Sequence, residues 1–354
     1  MKNSATKNSP HNNKLPLIYF VILIVLMPTF SHSQDYRYIN AYMEDFGKNE
    51  MFVKKSLMDY SVTIVESQAD LRAKVTSGKI VDKLINMNLI LRNTNKGFES
   101  NTQLRDCFIK MNEKTIECLT NGSLILNDYD YQSSLSLAEI AQNLNWKEKS
   151  LISYYQEIKS YEISKRVFGL KYHVHFKNQT GKNVLEYNAY QNMLFYKINV
   201  IDQKLMTLIK AKDKKGFAEC LTTIEAMHQV AIAKTTEYKD VFKDNSMNEA
   251  NITYSNFISS QKAQLTSLFN EFVDQYNVLQ TLKNSTQPQT HESIMVYNDV
   301  VRNYNAKKNS FYSVFDAIQT DKKALYSSWF VTNSAFLKNN SEFENIHESY
   351  TYNN

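Results

Sequence analysis

The helical stripe that opens the body of this chain is written twice. Ile39, Tyr42, Phe46, Val53, Leu57 and Tyr60 fall opposite Tyr187, Tyr190, Leu194, Ile201, Leu205 and Leu208 at a shift of about 148 residues, and Asn40-Ala41-Tyr42 recurs in register as Asn188-Ala189-Tyr190. Self-similarity of this length implies one folding unit used twice. Predicted third helices align at a shift of 149, with Phe108, Ile109, Ile116 and Leu119 against Phe257, Ile258, Leu265 and Leu268. Fourth helices align at 143, with Tyr154, Ile158, Tyr161, Lys165 and Phe168 against Tyr297, Val301, Tyr304, Lys308 and Phe311. The shorter shift places an insertion in the first copy between Leu119 and Tyr154, where Gly122, Asn127 and Asp128 signal a loop.

Breakers are scarce. Beyond residue 33 the only proline is Pro288, and the whole chain holds seven glycines. Sheets and their turns draw heavily on these residues, so the shortage predicts long helices. Apolar positions advance by three or four residues along Tyr187, Tyr190, Leu194, Ile198, Ile201, Leu205 and Leu208, the seam of a bundle helix. The expected fold is all-α: two tandem four-helix-bundle repeats, over 34–177 and 178–340, forming an elongated body. Expected helices run over 38–66, 69–92, 102–126 and 147–174, then 184–211, 214–241, 249–282 and 292–338, with a short extra helix at 135–144. The joint lies at 176–182, and the polar, mildly acidic tail 341–354 is expected to fray.

Residues 1–33 read as a secretory signal. Lys2, Lys7 and Lys14 precede an apolar run from Leu15 to Phe30, and Ser31 and Ser33 occupy the −3 and −1 positions before Gln34. The run is short for a membrane anchor, and no second stretch of spanning length follows. The expected address is therefore outside the cytoplasm: periplasm, outer surface or medium. Removing three lysines lowers the net charge from +5 to +2. A concentrated basic face is missing, which argues against nucleic acid as a partner. Cys107 and Cys118, on one helix, stand about 16 Å apart, too far for a disulfide; all three cysteines are read as small core residues, with a link from Cys220 to either of the others as the alternative.

Several constellations invite a chemical reading. Glu225 and His228, and again Glu344 and His347, spell Glu-x-x-His, the carboxylate–imidazole pair of di-iron bundles. That site also needs a glutamate from each of two further helices, so a solvated helix face is the preferred reading, and metal or haem handling by Glu225 and His228 is the alternative. His173 and His175 share a face only if extended. Lys165 and Lys308 sit on fourth-helix seams, and Glu50 interrupts the first-helix seam. The favoured expectation is a lysine whose methylenes pack while its ammonium reaches water; the rival is a buried charge pair. Tyr155 beside Tyr154 and Tyr312 beside Phe311 are candidates for an exposed aromatic contact patch. No covalent-haem, zinc-hydrolase, phosphate-loop or nucleophile-elbow motif is present. The reading leans away from an enzyme and implies no cofactor.

The segment Glu186-Tyr187-Asn188-Ala189-Tyr190, the stretches Tyr297-Asn298-Asp299 and Arg302-Asn303-Tyr304-Asn305, and the closing Ser334-Ala335-Phe336-Leu337-Lys338-Asn339-Asn340 resemble a family of exported helical surface proteins of leptospires and Bacteroidetes. The resemblance covers the second copy best. Members often look like lipoproteins, whereas this leader holds no anchoring cysteine. The resemblance implies an envelope location and no particular activity. The functional expectation is a non-enzymatic binding or structural module with a protein or other envelope partner.

Overall fold

The computed structural model describes residues 34–67, 70–122, 126, 128–176, 183–285, 290–340 and 350–352. The leader, most of the joint, and Glu344 and His347 lie outside the described residues. The chain is all-α. Its helices are α1 (Ile39–Ser67), α2 (Asp70–Thr94), α3 (Gln103–Thr120), α4 (Tyr129–Ser134), α5 (Leu137–Tyr172), α6 (Val184–Ala211), α7 (Lys214–Glu237), α8 (Ser246–Ser260), α9 (Lys262–Asn284) and α10 (His291–Asn340). Among the described residues the strands are short: β1 (Gln34–Tyr36) pairs in parallel with β2 (Asn95–Phe98), and β3 (Val174–Phe176) pairs antiparallel with β4 (Tyr350–Tyr352). Where fraying was expected, Tyr350–Tyr352 therefore pairs with β3.

Local chemistry sets the helix ends. Ser136 opens α5 with a capping box, its hydroxyl accepting from Glu139 N while the Glu139 carboxylate accepts from Ser136 N. This start fuses the expected short helix at 135–144 with the fourth helix into one helix of 36 residues. Asn183 and Asp213 cap α6 and α7 by accepting from backbone N–H groups at 2.7 and 2.9 Å. His173 and Lys212 end α5 and α6 in the left-handed region, with φ of 55° and 57°. The expected helix 249–282 is broken at Gln261 into α8 and α9. Neither proline nor glycine marks that break. The Ser260 hydroxyl there donates back to Phe257 O at 2.8 Å, the local competition that weakens a helix.

Two cores result. In the first, Tyr42 and Phe46 of α1, Leu84 of α2, Phe108 of α3, and Tyr161 and Phe168 of α5 are buried together. In the second, α6 is buried on all sides over 193–202 and packs among α7, α8, α10, α4 and α5. Helix α5 belongs to both, because its first half gives Leu144, Leu151, Tyr154 and Tyr155 to the second core and its second half serves the first. The cores are thus not divided at the joint. The end of α1 also reaches across, with Met58 in the second core and α1 packed against α10.

The fourth-helix correspondence does not survive in space. Helix α10 packs on α6 through Lys322, Trp329, Asn333 and Phe336. The stretch aligned with Tyr154–Phe168 lies further toward the N-terminus of α10, at the edge of the second core. There the first twenty residues, 291–310, contain no buried side chain.

Candidate functional site

Glu50 and Lys165 come together in the first core. Lys165, fully buried, donates to Glu50 Oε1 at 2.8 Å, and the Tyr161 hydroxyl donates to Oε2 at 3.1 Å. Lys54 lies 3.1 Å from the same carboxylate, and Glu162 is 3.2 Å from Lys165. Burial by itself would raise the Glu50 pKa, but Lys165 and Lys54 outweigh it and hold the carboxyl down at about 2. The expectation of a snorkelling ammonium is overturned for Lys165, whose ammonium is buried between the carboxylates of Glu50 and Glu162. Lys308 remains exposed. The two lysines are not equivalents.

The second core has its own charge pair, which sequence reasoning missed. Lys322 of α10 meets Asp202 of α6 at 2.5 Å with both residues buried. A third set joins the insertion to α6. Lys147 donates to Gly122 O at 2.9 Å and faces Asp128 at 3.5 Å, while the Tyr196 hydroxyl donates to the same carboxylate. Burial pulls the Lys147 pKa down, opposed by Asp128. Burial and the neighbouring Asp128 raise the Tyr196 phenol well above its ordinary range. Lys204 adds a bond to Ser133 O at 3.3 Å.

Amides form a further polar set in the second core. Asn188 donates to Asn333, Asn333 to Asn192, and Asn192 back to Asn188, at 2.6, 2.5 and 2.9 Å, a closed ring of three side chains. Gln191 donates to Asn248 and accepts from Asn251, whose own oxygen accepts from the Trp329 indole at 2.9 Å. The Tyr254 hydroxyl donates to Asn199 at 2.6 Å. A signal for this network was present: Asn188, Gln191, Asn199 and Asp202 on α6, and Asp244, Asn248, Asn251 and Ser255 leading into and along α8, recur at helical spacing beside the apolar seams. Such a network, with its groups satisfied, specifies one arrangement of helices.

Glu225 and His228 lie half-buried on one face of α7, as the spacing predicts, and turn to α8. His228 Nδ1 is 2.6 Å from the Ser255 hydroxyl, and Glu225 accepts from Ser259 at 2.6 Å and from Gln229 at 3.0 Å. Among the described residues no group of three His, Cys, Asp or Glu side chains is placed to hold a metal ion. His173 and His175 are both exposed, one capping α5 and one in β3. The three cysteines form no disulfide among the described residues; Cys118 and Cys220 are buried and Cys107 is half-buried. Tyr155 is buried, and Tyr312 packs edge-on against Phe311 and Phe315, so neither forms the exposed patch their doubling suggested. Among the described residues no helix is long and apolar enough to cross a membrane.

Comparison with protein-family models, with curated proteins and with solved structures finds no match to this chain.

Proposed function

We propose that this protein is an exported, non-enzymatic helical module of the cell envelope that binds or spaces a protein partner. One observation carries the reading. The buried lysines of both cores are paired with carboxylates and the amides of the second core bond to one another, while α5 turns Ile163, Val167 and Leu170 outward at helical spacing, Leu170 being 79% exposed. Polar chemistry turned inward and an apolar stripe turned outward suit docking better than turnover. The leader of residues 1–33 supports export, and the family resemblance supports an envelope address without adding an activity. The metal- or haem-handling alternative rests on Glu225 and His228, whose serine partners and lack of further ligands among the described residues do not favour it.

The test is purification from the native host after cell fractionation. The reading expects an N-terminus at Gln34, recovery outside the cytoplasm and a protein partner cross-linked through Cys substituted at Val167 or Leu170. Stoichiometric metal or an organic cofactor in that material would overturn it.

A further inference from the structure

The outer side of α5 joins an apolar seam to one sign of charge. Ile163, Val167 and Leu170 recur at i, i+4 and i+7, and Ser160 and Gln156 continue the row toward the N-terminus; all five are exposed. Ile152, also exposed, lies within about 20° of Ile163 round the helix. From Lys149 to Tyr172 every exposed charged side chain of α5 is basic. Lys149, Lys159, Arg166 and Lys171 all fall within about 80° of Ile163. The acids of this stretch are turned to neighbours instead: Glu157 lies 2.9 Å from Lys110 of α3, Glu148 2.7 Å from Lys197 of α6, and Glu162 3.2 Å from the buried Lys165. Glu186, at the start of α6, answers Lys159 at 2.7 Å. Lys149 and Lys171 have no acid partner among the described residues, and Lys171 stands over the Tyr172 ring at 4.9 Å.

We infer that the partner docked on this face is a protein helix whose own apolar seam is bordered by Asp or Glu. The inference rests on the reading of the stripe as a docking face and adds the chemistry of what docks. Spacing selects a helix: Ile163, Val167 and Leu170 take the d, a and d places of a heptad, a row about 10 Å long and one side chain wide. Arg166 and Lys171 take the g and e places beside it, where charge selects the partner by its sign. A second copy laid on its own stripe would set bases against bases. A flat anionic lipid surface is wider than one helix. Laid on α5, it would also meet Asp106, Glu113 and Glu117, which are exposed on the face of α3 that carries Lys110 beside Glu157.

Two helical peptides of four heptads test this, both with Ile at a and Leu at d, one with Glu at e and g and its twin with Lys there. Fluorescence anisotropy with the purified protein is expected to show the Glu peptide binding at least about tenfold tighter than its twin. Lys149→Glu combined with Lys171→Glu weakens that binding by about tenfold, each exposed contact contributing a few-fold. Leu170→Asp abolishes it, with helicity by circular dichroism unchanged in both variants. Equal binding of the two peptides overturns the acidic partner and leaves docking on the stripe standing, which cross-linking from Val167 or Leu170 reads separately. No binding of the Glu peptide up to about 1 mM overturns the inference as well. So does binding indifferent to Leu170→Asp. Co-sedimentation of the protein with phosphatidylglycerol vesicles, lost in the doubly charge-reversed variant, assigns the face to lipid and overturns the protein helix.

Discussion

Replacing Lys165 by methionine tests the central packing claim most directly. The lysine is fully buried, and its ammonium lies 2.8 Å from Glu50 in a site shared with Tyr161. Methionine keeps the volume of the side chain and removes the charge, leaving a buried carboxylate with Lys54 at 3.1 Å as its remaining cation. Breaking a buried pair on one side costs about 3–5 kcal/mol, because the surviving charge is left in a poor solvent. Lys54 is partly exposed and offsets some of this, so the lower end, about 3 kcal/mol, is expected. Removing both charges, as Glu50→Leu with Lys165→Met, restores an apolar interior and is expected to cost less than about 1 kcal/mol or to stabilise. Urea denaturation followed by circular dichroism reads both values. A single variant within about 1 kcal/mol of the parent, or a double variant as weak as the single, would refute burial of the pair. The pH dependence supplies a second check. Against the desolvation that would raise it, Lys165 and Lys54 depress Glu50 from 4.5 to about 2. A depressed carboxyl stabilises above its unfolded value, so this contribution is whole above pH 4.5 and is lost as pH falls from there toward 2. The double variant lacks that acid-sensitive part.

Other substitutions probe the remaining interior. Asn333→Leu opens the amide ring and strands polar groups of Asn188 and Asn192; a loss of about 1–3 kcal/mol in urea denaturation is expected. Tyr196→Phe removes the hydroxyl that donates to Asp128 at the junction of the insertion with α6, and should cost about 1–2 kcal/mol with little change in helicity. Gly169→Ala would bring a Cβ within 2.7 Å of the Phe176 ring and 2.8 Å of Val174 O. A thermal scan should show a loss of about 1–3 kcal/mol, with amide exchange quickened at 174–176, where β3 is pushed from α5.

Much of the architecture was readable beforehand. The seams of α1 and α6, the helices around Phe108 and Phe257, and the loop at Gly122 follow from local spacing, which reports the face a helix turns inward. The fourth helices show the limit of that reading. Tyr154–Phe168 and Tyr297–Phe311 spell nearly the same stripe, yet one lies within the cores and the other on a hairpin at the edge. Lys165 and Lys308 were therefore assigned one fate and have two. The pairing of Asp202 with Lys322 went unread because the two lie 120 residues apart, and only the docking of α10 on α6 sets them together. Glu225 and His228 were correctly placed on one face of α7, but only α8 decided that serines, rather than further acids, lie opposite.

Residue spacing and the shortage of breakers settled that this chain is helical, where its main seams run and which polar residues interrupt them. These are properties of short stretches, each governed by neighbours three or four positions away. Tertiary structure alone decided that α5 serves two cores, that α6 is enclosed on every side, and which lysines are sealed from water. A charged side chain on a seam is cheap beside solvent and costly under a second helix. The outcome hangs on long-range pairing and register, which helical periodicity does not encode.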